Sequence, residues 1–138
     1  MANKTTVCIL DDEPIVGDRL KPEMEDDGYE VEVFTDSGSA IQRLDDRCFD
    51  IFITDLKMEG VDGMGFLEKV KEYCPESEVI IITGYATIET ARESFVRGAY
   101  DFIAKPFRIG EIRDAVKKAR RRVRKNSRRA QNRSEKHA

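Results

Sequence analysis

The sequence predicts an open parallel α/β sheet with helices on both faces. Three observations carry that prediction: five short runs of apolar and β-branched residues, a helical pattern after each, and short connections between them.

The strand candidates are "TVCIL" (6–10), "VEVF" (31–34), "IFIT" (51–54), "VIIIT" (79–83) and "DFIA" (101–104). The first, third and fourth lack strict alternation, which suits strands covered on both faces. Pro14 can open the first helix, Ile15, Val16, Leu20 and Met24 follow at near-helical spacing, and Gly28 can end it. Pro22 within it predicts a kink or a shortened helix, because the ring removes a donor and crowds the preceding turn. The second helix, roughly 38–46, turns Ala40, Ile41 and Leu44 inward, and the third carries Phe66, Leu67, Val70 and Tyr73 and stops before Pro75. In the fourth, Ile88, Ala91 and Phe95 repeat at i, i+3, i+7, the pattern of one apolar face, with Gly98 as a C-terminal cap. The fifth starts near Arg108. From Ile109 onward, Ile112, Val116, Ala119 and Val123 form a heptad-like seam whose first half is expected to pack on the sheet.

With 138 residues, 40% hydrophobic and 37% charged, the chain suits one globular domain with a heavily charged surface. The start, "MANKTT", holds no apolar stretch, and no window approaches a membrane span, so a cytoplasmic protein without membrane contact is expected. Cys8, Cys48 and Cys74 form no CxxC pair and lie in or beside apolar runs, which favours buried free thiols over ligands or disulfides. The net charge of −3 hides an asymmetry: residues 117–138 hold 11 of the 24 Lys and Arg but only Glu135 among the 27 acids. An acidic body therefore carries a basic tail.

In such sheets ligands bind beyond the carboxyl ends of the strands. The first strand ends in Asp11 and Asp12, the third in Asp55, the fourth in Thr83 and the fifth in Lys105. Any one of these alone reads as a cap, a solvated turn or a surface charge, as Asp36 also does. Together they place three carboxylates, a hydroxyl and an ammonium along one edge. Like charges so gathered raise one another's pKa unless a cation sits among them, and hard oxygen ligands suit Mg²⁺, or Mn²⁺.

At these residues the sequence resembles the receiver domain of two-component response regulators. The resemblance covers about residues 5–120: the acidic pair in "LDDEP", then "ITDLKM" with "DGMGFL", "ITGYAT" and "GAYDFIAKPF". "TGYATIETA" is most similar to receivers of nitrogen-regulator-type enhancer-binding activators. It implies a flavodoxin-like fold with strand order 2-1-3-4-5 and five helices, and a signalling switch rather than a classical enzyme. Asp55 would take a phosphoryl group from a histidine kinase or phosphotransfer protein. Asp11, Asp12, Asp55 and the backbone carbonyl of Lys57 would bind the metal, Lys105 would pair with Asp55 and then with the phosphoryl group, and Thr83 would donate its hydroxyl. Pro106 would follow a cis peptide bond, and Phe102 would act with Thr83 as the switch that alters the face of the fourth helix, fifth strand and fifth helix. That face would meet a downstream protein or a missing output domain, and leaves room for a homodimer.

Departures from the family pattern are Phe102 where many members have Tyr and Glu59 where proline is usual. Lys57 and Tyr85 flank the phosphoryl position and are expected to tune dephosphorylation. Residues 1–122 would be the receiver and 123–138 a basic tail or the start of an interdomain linker, with disorder after about residue 125. His137 has no partner in the sequence. The tail could also touch nucleic acid through phosphates alone, with the linker reading preferred. A phosphatase of the haloacid dehalogenase kind shares a nucleophilic Asp at a strand end, but its DxD motif fails at Lys57.

Overall fold

The computed structural model of the protein describes residues 4–58 and 60–136, so readings placed on Glu59 and His137 lie outside the described residues. Five strands, β1 (Thr6–Leu10), β2 (Glu30–Phe34), β3 (Ile51–Asp55), β4 (Glu78–Thr83) and β5 (Asp101–Ala104), pair in parallel in the order β2-β1-β3-β4-β5. The interior strands β1, β3 and β4 are buried along their whole length, whereas the edge strands are only partly covered. That is why the interior runs lack alternation: both faces of each meet a hydrophobic layer.

Five helices supply those layers: α1 (Pro14–Asp26), α2 (Ser37–Asp46), α3 (Gly63–Tyr73), α4 (Ile88–Val96) and α5 (Ile109–Lys136). On one face Val7, Ile9, Ile51, Ile53, Ile80 and Ile82 pack against α1 and α5; on the other Cys8, Leu10, Phe52, Val79 and Ile81 pack against α2 and α3. The seam Ile112, Val116, Ala119 and Val123 lies buried in the first layer, so α5 uses it on the sheet. Gly28 and Gly98 follow the ends of α1 and α4 with φ of +94° and +107°, the left-handed conformation that closes a helix at little cost for glycine.

Several expectations are overturned. Helix α1 is not shortened at Pro22; it continues to Asp26, and both Pro22 and Asp18, whose carbonyl loses its helical donor, lie on the exposed side where water can serve it. The orientation of α4, which periodicity leaves open, puts small residues toward the sheet, with Ser94 fully buried, while Ile88 is 79% and Phe95 48% exposed. Tyr73 is likewise exposed. Cys48 and Cys74 are joined in a disulfide across 26 positions of sequence, because the loop after α2 lies against the C-terminus of α3; no local spacing announces that contact. Cys8 is the buried free thiol, and burial pushes its pKa well up. Disorder after residue 125 is replaced by helix: α5 runs unbroken through positions 122–123 to Lys136, in a segment of Arg, Lys, Ala and Gln that favours helix. Asn126 ties it to the body through the Glu76 carbonyl and the Glu78 carboxylate at 3.3 and 3.0 Å.

Buried and outward-facing apolar side chains differ in what their loss costs. Leu20→Ala, at a fully buried site, should lose about 2–5 kcal/mol in denaturant unfolding. Ile88→Ala should stay within about 0.5 kcal/mol, and a core-sized loss there would refute the outward orientation of α4.

Candidate functional site

Parallel register brings the polar strand ends to one edge. Leu10 pairs with Thr54, Asp55 with Ile82, and Thr83 with Ala104, so the residues that follow β1, end β3 and β4, and follow β5 share one crevice. The backbone N–H of Lys105 donates to the Thr83 carbonyl at 2.7 Å, and the Lys105–Pro106 peptide is cis. Lys105 Nζ stands 2.8 Å from Asp11 Oδ2 and 3.1 Å from Asp55 Oδ2.

Both carboxylates are buried. Asp11 accepts the Glu13 N–H at 2.9 Å, and Asp55 Oδ1 accepts the N–H of Leu56 at 2.7 Å and of Lys57 at 3.4 Å. Asp12 and Glu13 are exposed, yet each offers a carboxylate oxygen, with those of Asp11 and Asp55, in a group whose members all lie within 4.8 Å of one another. Four acids thus gather beside a single ammonium, which pairs with three of them: Asp11, Asp55 and, at 3.6 Å, Glu13. Burial raises the Asp11 pKa, aided by the charge of Asp55 and opposed by Lys105. For Lys105, burial works against the charged form but the two carboxylates outweigh it and hold the ammonium above its usual value. An all-oxygen donor set with surplus negative charge fits a hard divalent cation.

Thr83 is fully buried and its hydroxyl accepts the N–H of Tyr85 at 2.9 Å, which leaves its own hydrogen to donate. Phe102, half-buried, packs against the layer that holds α2 and α3. Asp36, by contrast, caps α2 by accepting the Ser39 N–H at 2.8 Å, well within the role of an ordinary cap.

Four features escaped the sequence reading. Glu13 joins the acidic group, and Lys105 pairs with Asp11 as closely as with Asp55. Lys57 Nζ sits over the Tyr85 ring at 4.5 Å from its centroid, so the two flanking residues hold each other. Gly63 opens α3 with its N–H on the Leu56 carbonyl, and a Cβ there would fall 2.1 Å from the Asp55 carbonyl oxygen and 2.6 Å from Leu56 Cα. The "DG" before α3 is the only signal that could have found it: Asp62 caps the helix, and the glycine lets its first turn touch the backbone of Asp55.

Gly63→Ala should therefore destabilise by about 1–3 kcal/mol and move the Asp55 amide resonance; an unperturbed spectrum would contradict the contact. Asp11→Asn should stabilise the protein in metal-free buffer at neutral pH. The folded pKa of Asp11 lies above its unfolded value, so ionisation costs stability as pH rises through that folded pKa, and the gain from Asn should vanish in acid below the unfolded value. Thermal unfolding of both proteins across pH checks the sign.

Residues 7–117 match the family model of the response regulator receiver domain. Curated relatives include a putative NtrX-like response regulator of Rickettsia felis, 36% identical over 82% of this chain and 24% of the relative, and the C4-dicarboxylate transport transcriptional regulatory protein DctD of Rhizobium meliloti, 31% identical over 86% and 26%. The chain spans about a quarter of the length of these relatives. Among solved structures, a CheY-like receiver domain protein from Methanospirillum hungatei superposes with a TM-score of 0.81 at 28% identity, covering 92% of this chain and 99% of that one. The beryllofluoride-activated NtrC4 receiver domain dimer gives 0.78 at 27%, covering 88% and 98%. Among the described residues no helix is long and apolar enough to cross a membrane. With its sheet order, its acidic crevice and a match over most of its length, this chain belongs to the response regulator receiver domain family of two-component signalling.

Proposed function

We propose that the domain is a phosphoacceptor switch in which Asp55 takes one phosphoryl group from a histidine kinase or phosphotransfer protein. The observation that carries this reading is the position of Asp55: a buried carboxylate at a strand end, fixed by the Leu56 N–H and faced by the Lys105 ammonium. A carboxylate oxygen of Asp55 bonds to phosphorus while the bond to the donor's leaving group breaks and that group departs with the electron pair. Lys105 passes from the carboxylate to a phosphoryl oxygen, and the Thr83 hydroxyl donates to another. Positioning and charge neutralisation of this kind carry most of the catalysis of phosphoryl transfer.

The side chains of Asp11, Asp12 and Asp55 and the carbonyl of Lys57 would hold Mg²⁺ or Mn²⁺, with Glu13 beside them. The bound ion would supply a Lewis acid that offsets the charge of the phosphoryl oxygens. The domain thus catalyses only its own phosphorylation and dephosphorylation, and Lys57 and Tyr85, stacked on each other, control how water reaches the acyl phosphate.

When Thr83 turns toward the phosphoryl group, Phe102 follows into the space beside it and the α4-β5-α5 face changes. Moving such a two-state element from 1:99 to 99:1 takes about 5.5 kcal/mol, within reach of a few charge-assisted hydrogen bonds. The exposed Ile88, Phe95 and Val96 of α4 give that face an apolar contact for an output domain, a downstream protein or a second receiver in a homodimer. The greater length of the relatives supports residues 1–122 as the receiver and 123–138 as the start of a linker, working in the cytoplasm beside its phosphodonor.

Incubation with a small acyl-phosphate donor and Mg²⁺ should yield one phosphoryl group per chain, acid-stable, base-labile and sensitive to hydroxylamine. Asp55→Asn should give none, and Lys105→Met should react far more slowly. Phosphorylation that survives Asp55→Asn, or hydrolysis of the donor that continues unchanged in that variant, would sink the reading.

A further inference from the structure

The body and the last helix of this chain carry opposite charge. Residues 1–116 hold 13 bases against 26 acids, residues 117–138 hold 11 against one. In the body, six of the 13 bases, Arg43, Arg47, Lys71, Arg97, Lys105 and Arg113, make ion pairs among the described residues. Among the described residues, none of the ten lysines and arginines from Lys117 to Arg133 makes one.

Helix α5 turns these charges into an array. Lys117, Arg121, Arg124 and Arg128 recur at i, i+4, i+7, i+11, and Lys118, Arg122, Lys125, Arg129 and Arg133 form a parallel row, all exposed. The segment is about 30 Å long, the core seam occupies the opposite side, and seven of the ten cations are arginines, whose planar fork matches phosphate oxygens. A second observation points the same way. Arg120 Nε is buried without a hydrogen-bond partner, and Arg120 lines a pocket with Lys4, Arg124 and Arg128 in which the Asp50 carboxylate is already engaged by Thr6.

We infer that the outer face of α5 binds the phosphate backbone of nucleic acid, in a way that does not depend on base sequence. A lipid surface fits less well, because among the described residues no apolar or aromatic side chain stands on the exposed face from Lys117 to Arg133 to enter a bilayer. An acidic protein fits less well for the same want of an apolar anchor. The acidic body would be repelled and face away, so contact is confined to the helix.

The test titrates the full chain with a fluorescent random-sequence duplex at rising salt, beside phosphatidylglycerol vesicles and poly-glutamate. Binding is expected at 50 mM salt, with affinity falling about a hundredfold by 200 mM if four phosphates are neutralised. The triple variant Arg121→Gln, Arg124→Gln, Arg128→Gln should bind at least tenfold more weakly at unchanged helicity by circular dichroism. The inference is overturned by no binding at 50 mM salt, by affinity that ignores salt or the triple variant, or by vesicles or poly-glutamate binding as tightly as the duplex. Phosphorylation of Asp55 plays no part in the assay, so the result is independent of that reading.

Discussion

One ammonium held against two buried carboxylates is the interaction on which the rest of this structure depends. Lys105 reaches Asp11 and Asp55 only because β1, β3, β4 and β5 run in the same direction and end at the same level. Fold and site are thus one constraint: the hydrophobic layers on both faces exist to hold the strands in register, and register brings together residues 94 positions apart in sequence. The neutralisation is incomplete. Four acids gather beside one lysine that pairs with three of them, Asp11 is pushed toward its protonated form, and the crevice gains from any further positive charge. In the proposed function a bound cation offsets that cost, a common trade between folding and function.

What could be read in the sequence was what local chemistry dictates. Apolar runs located every strand to within a residue or so, glycines marked the ends of α1 and α4, and polar residues after the runs named the crevice. What could not be read depended on partners distant in sequence. Periodicity gave α4 an apolar face without saying whether it looked in or out, and the small residues Ala91 and Ser94 proved to be the inner side. The Cys48–Cys74 disulfide and the Lys57–Tyr85 stack arise from loops that meet only in the folded chain. Gly63 illustrates a third case: its importance is steric, a backbone-to-backbone approach that a one-letter pattern shows only as another glycine.

Composition misled at the end of the chain. A polar, basic stretch without a second apolar set reads as disordered, yet the same arginines, lysines and alanines are good helix formers, and a helix already nucleated on the sheet needs only propagation to continue. The molecule that results is electrically lopsided, with its acidic crevice at the carboxyl edge of the sheet and its cations along α5. In the proposed account the first attracts a metal and a phosphodonor, the second a polyanion, and the opposed charges keep the two ligands from competing.

The central claim is that the acids at the strand ends form one shared cation site. Carboxyl carbon NMR during a Mg²⁺ titration tests it most directly. The Asp11, Asp12 and Asp55 resonances should shift together with a single saturation curve at one ion per chain, while Asp36 and Asp62 at their helix caps stay in place. Independent curves, or a shift confined to the exposed Asp12, would contradict it.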